Sequence, residues 1–212
     1  MHIPDGFLDA KTWGTLAVVS AGAIGLAAKA AARDAEGGDI PTMGVVAAFI
    51  FAAQMLNFPI AGGTSGHFLG GVFAAILLGP ARGLLTMGLI LIVQALLFAD
   101  GGVTALGANI FNMGVIGAVG GYLLFRALWR LFPGRSPWLP AFIAGWASVV
   151  LAAAACALEL GFSGTAPLGV VLPAMVGIHA LIGLGEGAIT AGALALVARV
   201  RPEVVRVVEV RG

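Results

Sequence analysis

Charge is what this chain lacks most. Lys, Arg, Asp and Glu together make up 10% of its 212 residues, against about a quarter in an ordinary soluble domain. Cysteine occurs once, at Cys156, so neither an internal disulfide nor a thiolate metal cluster can form. No Gly-x-x-x-x-Gly-Lys-Ser/Thr phosphate loop occurs, which removes the usual means of ATP hydrolysis. There is no His-Glu-x-x-His zinc-protease pair, and the basic residues are too dispersed to form a nucleic-acid footprint.

What is abundant is apolar. Hydrophobic residues reach 60% and the mean hydropathy is +1.05, the composition of a polytopic membrane protein with no soluble domain of useful size. Runs of about twenty apolar residues predict an all-α chain with seven transmembrane helices near 13–32, 42–58, 66–79, 83–99, 106–130, 139–159 and 168–198. A single integral domain, 1–212, then divides into an N-terminal segment (1–12), a helical bundle (13–199) and a tail (200–212).

Basic residues fall in every second connection: Lys29 and Arg33; Arg82; Arg126, Arg130 and Arg135; then Arg199, Arg201, Arg206 and Arg211. Because Lys and Arg collect in cytoplasmic loops, this alternation predicts an N-terminus outside and a cytoplasmic C-terminal tail. Of the 11 basic residues only Lys11 disagrees. The segment 1–12 and the 59–66, 100–108 and 160–167 connections then share the outer face of a prokaryotic plasma membrane.

Met1-His2 places an imidazole one peptide bond from the chain's first amine. Residues 1–12 contain Asp5, Asp9 and Lys11 and no basic stretch followed by an apolar one, so the Met1 amine is expected to be the working terminus. The Met1 amine, the His2 amide nitrogen and the His2 imidazole can close two adjacent chelate rings on one ion. Such nitrogens suit Ni²⁺, Co²⁺ or Cu²⁺ and not Mg²⁺ or Ca²⁺. The competing reading of His2 is a solvated terminal residue.

A fourth donor is available at His67, which closes the glycine-rich run Pro59 to Gly66. From Phe68 to the Gly79-Pro80 break the chain is too short to cross a bilayer at about 1.5 Å of rise per residue. The glycine-rich segment is therefore expected to dip inward, which is tolerated where its backbone faces protein or a cavity. A membrane histidine can equally be a hydrogen-bonded packing residue, yet with His2 on the same face an all-nitrogen set emerges that favours square-planar Ni²⁺ and also serves Co²⁺.

The opening Met1-His2-Ile3-Pro4-Asp5-Gly6 resembles that of the CbiM/NikM family, the substrate-capture subunits (S components) of energy-coupling-factor transporters for cobalt or nickel. The stretches Phe51 to Pro59 with Gly62 to His67, Gln94 to Gly102, Asn109 to Gly114 and His179 to Gly187 are similar to that family's signatures, and the resemblance covers almost the whole chain. It implies a seven-helix subunit whose N-terminal segment tucks into the outer face, with metal ligands at Met1, His2 and His67. It also implies partners: a membrane coupling subunit and cytoplasmic ATPase subunits. Some relatives resemble fusions with an additional small membrane subunit, which this chain would need separately or not at all.

Gln54, Asn57, Gln94, Asn109 and Asn112 are the polar residues inside the spans, and each needs a partner. Asn57, Asn109 and Asn112 lie near outer helix ends, where their amides could anchor the N-terminal segment or orient a ligand imidazole; ordinary interhelical hydrogen bonding is the alternative, and the preferred one for Gln54. His179 and Glu186, two turns apart on the last helix, share a face and suggest a buried polar clasp in preference to a proton relay. Asp5 and Asp9 are expected to cap or steer the N-terminal segment. Small residues four apart, as at Ala23 and Ala27, Ala48 and Ala52, or Gly117 and Gly121, allow close helix packing within the subunit or a smooth face for a partner.

Three function classes remain. The leading one is capture of Ni²⁺ or Co²⁺ from outside for ATP-driven uptake by partner subunits, with no enzymatic activity of its own. A self-sufficient secondary metal transporter or channel would need a chain of ionisable groups through the bilayer. A membrane metalloenzyme would need an open coordination position and a placed base. The donor set alone does not separate nickel from cobalt.

Overall fold

The structure, a computed structural model, describes residues 2–33, 39–56, 58–60, 64–131 and 136–201. Met1, Asn57 and the tail beyond residue 201 lie outside the described residues. Among the described residues seven helices run in chain order: α1 (Ala10–Arg33), α2 (Asp39–Gln54), α3 (Gly71–Leu78), α4 (Pro80–Leu97), α5 (Leu106–Leu131), α6 (Trp138–Phe162) and α7 (Leu168–Val200). Among the described residues, α1, α4, α5, α6 and α7 are long and apolar enough to cross a membrane; α2, at 16 residues, is shorter. Large apolar side chains such as Val18, Leu26, Leu89, Leu123 and Leu181 are exposed on the bundle's exterior, as a lipid-facing surface requires. The 33 residues of α7 span about 50 Å, more than a hydrocarbon core, and tilt accommodates such an excess.

Between α2 and α3 the structure departs from the purely helical expectation. Strands β1 (Phe58–Ile60) and β2 (Thr64–Gly66) form a small antiparallel hairpin, with Phe58 opposite Gly66 and Ile60 opposite Thr64. The predicted 66–79 helix is correspondingly shorter and starts only at Gly71, after an extended stretch from His67 to Gly70. All eight residues of α3 are buried. This short helix is thus enclosed by its neighbours, which satisfies the rule that non-spanning backbone at membrane depth must face protein.

Close backbone approach sets this packing. A Cβ on Gly71 would lie 2.8 Å from the Ala118 nitrogen, and one on Gly107 would lie 2.4 Å from the Ala17 Cα. The interval-of-four pair Gly117 and Gly121 also packs inside the subunit, against Leu69, Val72 and Ser148. Gly79, at φ +83°, ends α3, and Pro80 opens α4 at a position where its missing N–H costs nothing. Within α5, Phe111–Gly120 is wound as a π-helix, a rare form associated with functional sites.

Residues 2–9 are held against the bundle. Asp9 precedes α1 and its carboxylate accepts the Thr12 N–H at 2.7 Å, a helix N-cap. Ile3 and Leu8 are buried with Ala105, Ala108 and Cys156. The segment is pinned to the connections after α4 and α6, since the Thr165 hydroxyl donates to the Phe7 carbonyl and Asp5 accepts from the 103–104 backbone. The N-terminal segment and those two connections therefore occupy one end of the bundle.

Candidate metal centre

Ile3 is held from both sides. Its N–H donates to Asn109 Oδ1 at 2.8 Å, and its carbonyl accepts from Asn109 Nδ2 at 3.1 Å and from the Gly102 N–H at 2.8 Å. Both backbone groups of one residue are thus satisfied inside the protein, which a buried segment needs. Asp5 adds a second clamp: its Oδ1 accepts from the Thr104 hydroxyl at 2.5 Å and the Thr104 N–H at 2.8 Å, and its Oδ2 from the Val103 N–H at 3.2 Å. These bonds, the Thr104 hydroxyl foremost, hold the Asp5 carboxyl below its usual range. Asp5 and Asp9 accordingly serve as clamp and cap.

The receiving turn is built for close approach. Ala99, a non-glycine residue at φ 53°, and Gly101, at φ 96°, bend the chain after α4, and Gly102 lies directly beneath the segment. A Cβ there would stand 2.3 Å from the Asp5 nitrogen and 2.7 Å from the Pro4 carbonyl carbon. Only glycine fits.

This clamping sets the position of His2. Its ring stacks on that of His67, with centroids 4.9 Å apart and planes inclined by 24°. His2 Nε2 lies 3.0 Å from Gln94 Oε1, and His2 Nδ1 lies 3.4 Å from the Asp100 carboxylate. His67 Nδ1 lies 2.9 Å from the Phe68 carbonyl. Both histidines are almost fully buried, His67 at 8% exposure and the His2 side chain at 6%. Burial lowers the pKa of His2 below the ordinary 6.5, with Asp100 and Gln94 opposing. Burial lowers that of His67 further, and charge on His2 or His179 adds to the effect. Both rings are therefore kept neutral, the state in which imidazole binds a metal.

Behind the two rings runs a chain of buried amides. Gln94 Nε2 donates to Gln54 Oε1 at 2.7 Å, and Gln54 Nε2 donates to the Leu69 carbonyl at 2.7 Å. Glu186 accepts the Leu69 N–H at 2.6 Å and the Gly70 N–H at 2.9 Å. Glu186 is thus a clasp on loop backbone, and His179 Nδ1 donates to the Met175 carbonyl of its own helix at 2.8 Å. Each has a structural partner, which weakens the relay reading. Of the asparagines, Asn109 anchors the N-terminal segment, whereas Asn112 Nδ2 donates to Glu159 at 2.8 Å, away from the histidines. Among the described residues no group of three or more His, Cys, Asp or Glu side chains is arranged to hold a metal, so two imidazoles would need further donors from the main chain.

The sequence matches the CbiM family, described as the cobalt uptake substrate-specific transmembrane region, over residues 2–204. The chain belongs to this family. Its relatives include a Haloquadratum walsbyi protein provisionally named for metal transport, 49% identical over 207 residues that cover 97% of this chain and 93% of the relative. The fused nickel transport protein NikMN of Rhodobacter capsulatus is 35% identical over 96% of this chain and 63% of its own length. A crystal structure of a transition metal transporter superposes with a TM-score of 0.88 at 33% identity, covering all of both chains. Membership of this family, with five candidate spans, makes the chain a multi-pass membrane protein of transition-metal transport.

Two residues beside His2 were not singled out as site residues by the sequence. Asp100 and Gln94 carry the contacts to its two ring nitrogens. The sequence signals were the place of both in the Gln94 to Gly102 stretch and, for Gln94, its polarity inside a span.

Proposed function

We propose that this protein is the substrate-binding membrane subunit of an energy-coupling-factor transporter, capturing Ni²⁺ or Co²⁺ from outside for ATP-driven uptake by partner subunits. The single observation that carries the reading is the buried, stacked His2–His67 pair beneath a clamped N-terminal segment. The proposed ligands are the Met1 amine, the His2 amide nitrogen, His2 Nδ1 and His67 Nε2. His2 Nδ1 closes a six-membered ring with its own amide nitrogen, and the amine closes the adjoining five-membered ring. Metal–nitrogen distances of about 2 Å are within reach of two rings whose centroids stand 4.9 Å apart. A four-nitrogen set favours Ni²⁺, and Co²⁺ can use it.

Support for both metals comes from the relatives, one named for nickel and the family for cobalt. The alternation of basic loops supports the placement of this end of the bundle outside. Partner subunits, a membrane coupling protein with cytoplasmic ATPases, would supply the energy and the reorientation that releases the ion inside. Binding would release protons from the amine and the amide.

The test compares the metal content of purified protein with that of three variants: one residue added ahead of Met1, His2→Ala and His67→Ala. All three should lose Ni²⁺ or Co²⁺. Full affinity in the extended variant would remove the amine from the ligand set, and normal binding in all three would sink the site.

A further inference from the structure

The direction of every hydrogen bond in the amide chain is fixed by its far end. A backbone carbonyl only accepts, so the atom of Gln54 facing Leu69 O at 2.7 Å is its NH₂ group. Gln54 Oε1 is then the acceptor that meets the NH₂ group of Gln94 at 2.7 Å. Gln94 is left to present its oxygen, 3.0 Å from His2 Nε2. An amide oxygen cannot donate, so Nε2 carries the proton, and in a neutral ring the lone pair falls on Nδ1.

The geometry points to Gln94 and Gln54 as positioning residues that lock His2 with its Nδ1 lone pair turned to the metal, and to Glu186 as the anchor of that lock. Glu186 holds the Leu69 and Gly70 N–H groups at 2.6 and 2.9 Å, and Leu69 is the peptide whose carbonyl starts the chain. The lock joins α7, the stretch after His67, α2, α4 and the N-terminal segment in one path. Its importance for metal rests on the capture reading, because chelation through the His2 amide can use Nδ1 and cannot use Nε2 on the far side of the ring. The tautomer itself does not depend on that reading.

The same tautomer makes a cation at Nδ1 favourable. In this tautomer the Nδ1 lone pair of the buried His2 faces the partly exposed Asp100 carboxylate at 3.4 Å, two electron-rich groups apposed. A positive ion at Nδ1 turns that repulsion into attraction. His67 and His179 are held the opposite way, since each donates from Nδ1 to a backbone carbonyl and so keeps its lone pair on Nε2.

The experiment reads ring-nitrogen NMR shifts in metal-free, ¹⁵N-histidine-labelled protein in detergent, at a pH where the rings are neutral. The chain has three histidines, and His2→Ala identifies the His2 signals. The wild type should show one Nε2–H ring, His2, and two Nδ1–H rings. Gln94→Met should move the His2 signals to averaged values, and Gln54→Met should do so partially, because Gln94 is then free to turn over. The unchanged His179 pattern reports that the bundle is still folded. Gln94→Glu, which keeps an acceptor for Nε2–H, should restore the His2 signals. In parallel, Ni²⁺ affinity measured by titration calorimetry should fall by about 10- to 100-fold in Gln94→Met.

A wild-type His2 protonated on Nδ1, or signals unmoved by Gln94→Met, overturns the lock. A tautomer that shifts as expected while Ni²⁺ affinity stays at the wild-type value leaves the hydrogen-bond chain intact and overturns its service to a metal, and with it the capture site.

Discussion

Replacing Gly102 by alanine should evict the N-terminal segment from its seat while leaving the bundle folded. The added Cβ would lie 2.3 Å from the Asp5 nitrogen, 2.5 Å from Asp5 Oδ1 and 2.7 Å from the Pro4 carbonyl carbon, against an ordinary contact of at least 3.4 Å. All three atoms belong to the segment, so the segment must rise by about 1 Å. That displacement takes the Gly102 N–H beyond reach of the Ile3 carbonyl, now 2.8 Å away. It also loosens the Asn109 and Asp5 bonds. With each bond worth about 0.5–1.5 kcal/mol net, and overpacking typically costing 1–3 kcal/mol, the loss is about 3 kcal/mol. At about 1.4 kcal/mol per tenfold, Ni²⁺ affinity should fall roughly 100-fold. Titration calorimetry in detergent measures it. Gly169→Ala, where a Cβ meets nothing within 4 Å, is the control and should bind like the wild type. Wild-type affinity in Gly102→Ala would show that metal binding does not depend on docking the segment against this turn.

Asn109→Ala removes both side-chain bonds to Ile3 and should weaken docking by about 2–3 kcal/mol, or roughly 30- to 150-fold in Ni²⁺ affinity by titration. Asp100→Asn removes a partly exposed negative charge facing His2 Nδ1; after allowance for solvent screening it should cost about 3- to 10-fold in affinity, with a smaller difference at high salt. Metal-free protein should lose thermal stability as pH falls below about 6.5, because His2 and His67 are held neutral in the fold, burial being the largest cause. The unfolded chain takes up their protons first, so stability is complete above the unfolded value and declines toward the lowered folded ones, by up to about 1.4 kcal/mol per pH unit per histidine. Melting curves across that range check it, and His67→Ala should flatten the dependence. Glu186→Leu should strand the Leu69 and Gly70 N–H groups and lower the melting temperature in metal-free protein, at about 1–3 kcal/mol per orphaned donor.

Much of this molecule can be read from its amino acids because the bilayer imposes length on its elements. The helices predicted at 106–130, 139–159 and 168–198 fall within a few residues of α5, α6 and α7. The hairpin was hidden, since three-residue strands flanked by proline and glycine leave no alternating pattern to detect. The π-helical stretch of α5 has no sequence signature either. The nearness of His2 to His67 was legible because imidazoles are scarce in this chain, whereas Asn109 stood equally open to anchoring the segment and to ordinary interhelical bonding. Gln54 and Gln94 were not legible as partners, since their bond joins side chains 40 residues apart. Gln54 makes the interhelical bond its sequence position suggests, and its other arm supports the Leu69 carbonyl. His179 and Glu186 suggest a clasp between helices; instead Glu186 holds loop amides and His179 a carbonyl of its own helix, which no pattern of side chains could reveal.

X-ray absorption at the nickel edge of the loaded protein tests the central claim most directly. The account predicts a first shell of four nitrogens with outer scattering from two imidazoles, falling to one imidazole or losing the metal in His67→Ala. A shell containing sulfur or several oxygens, or a spectrum unchanged by His67→Ala, would contradict it.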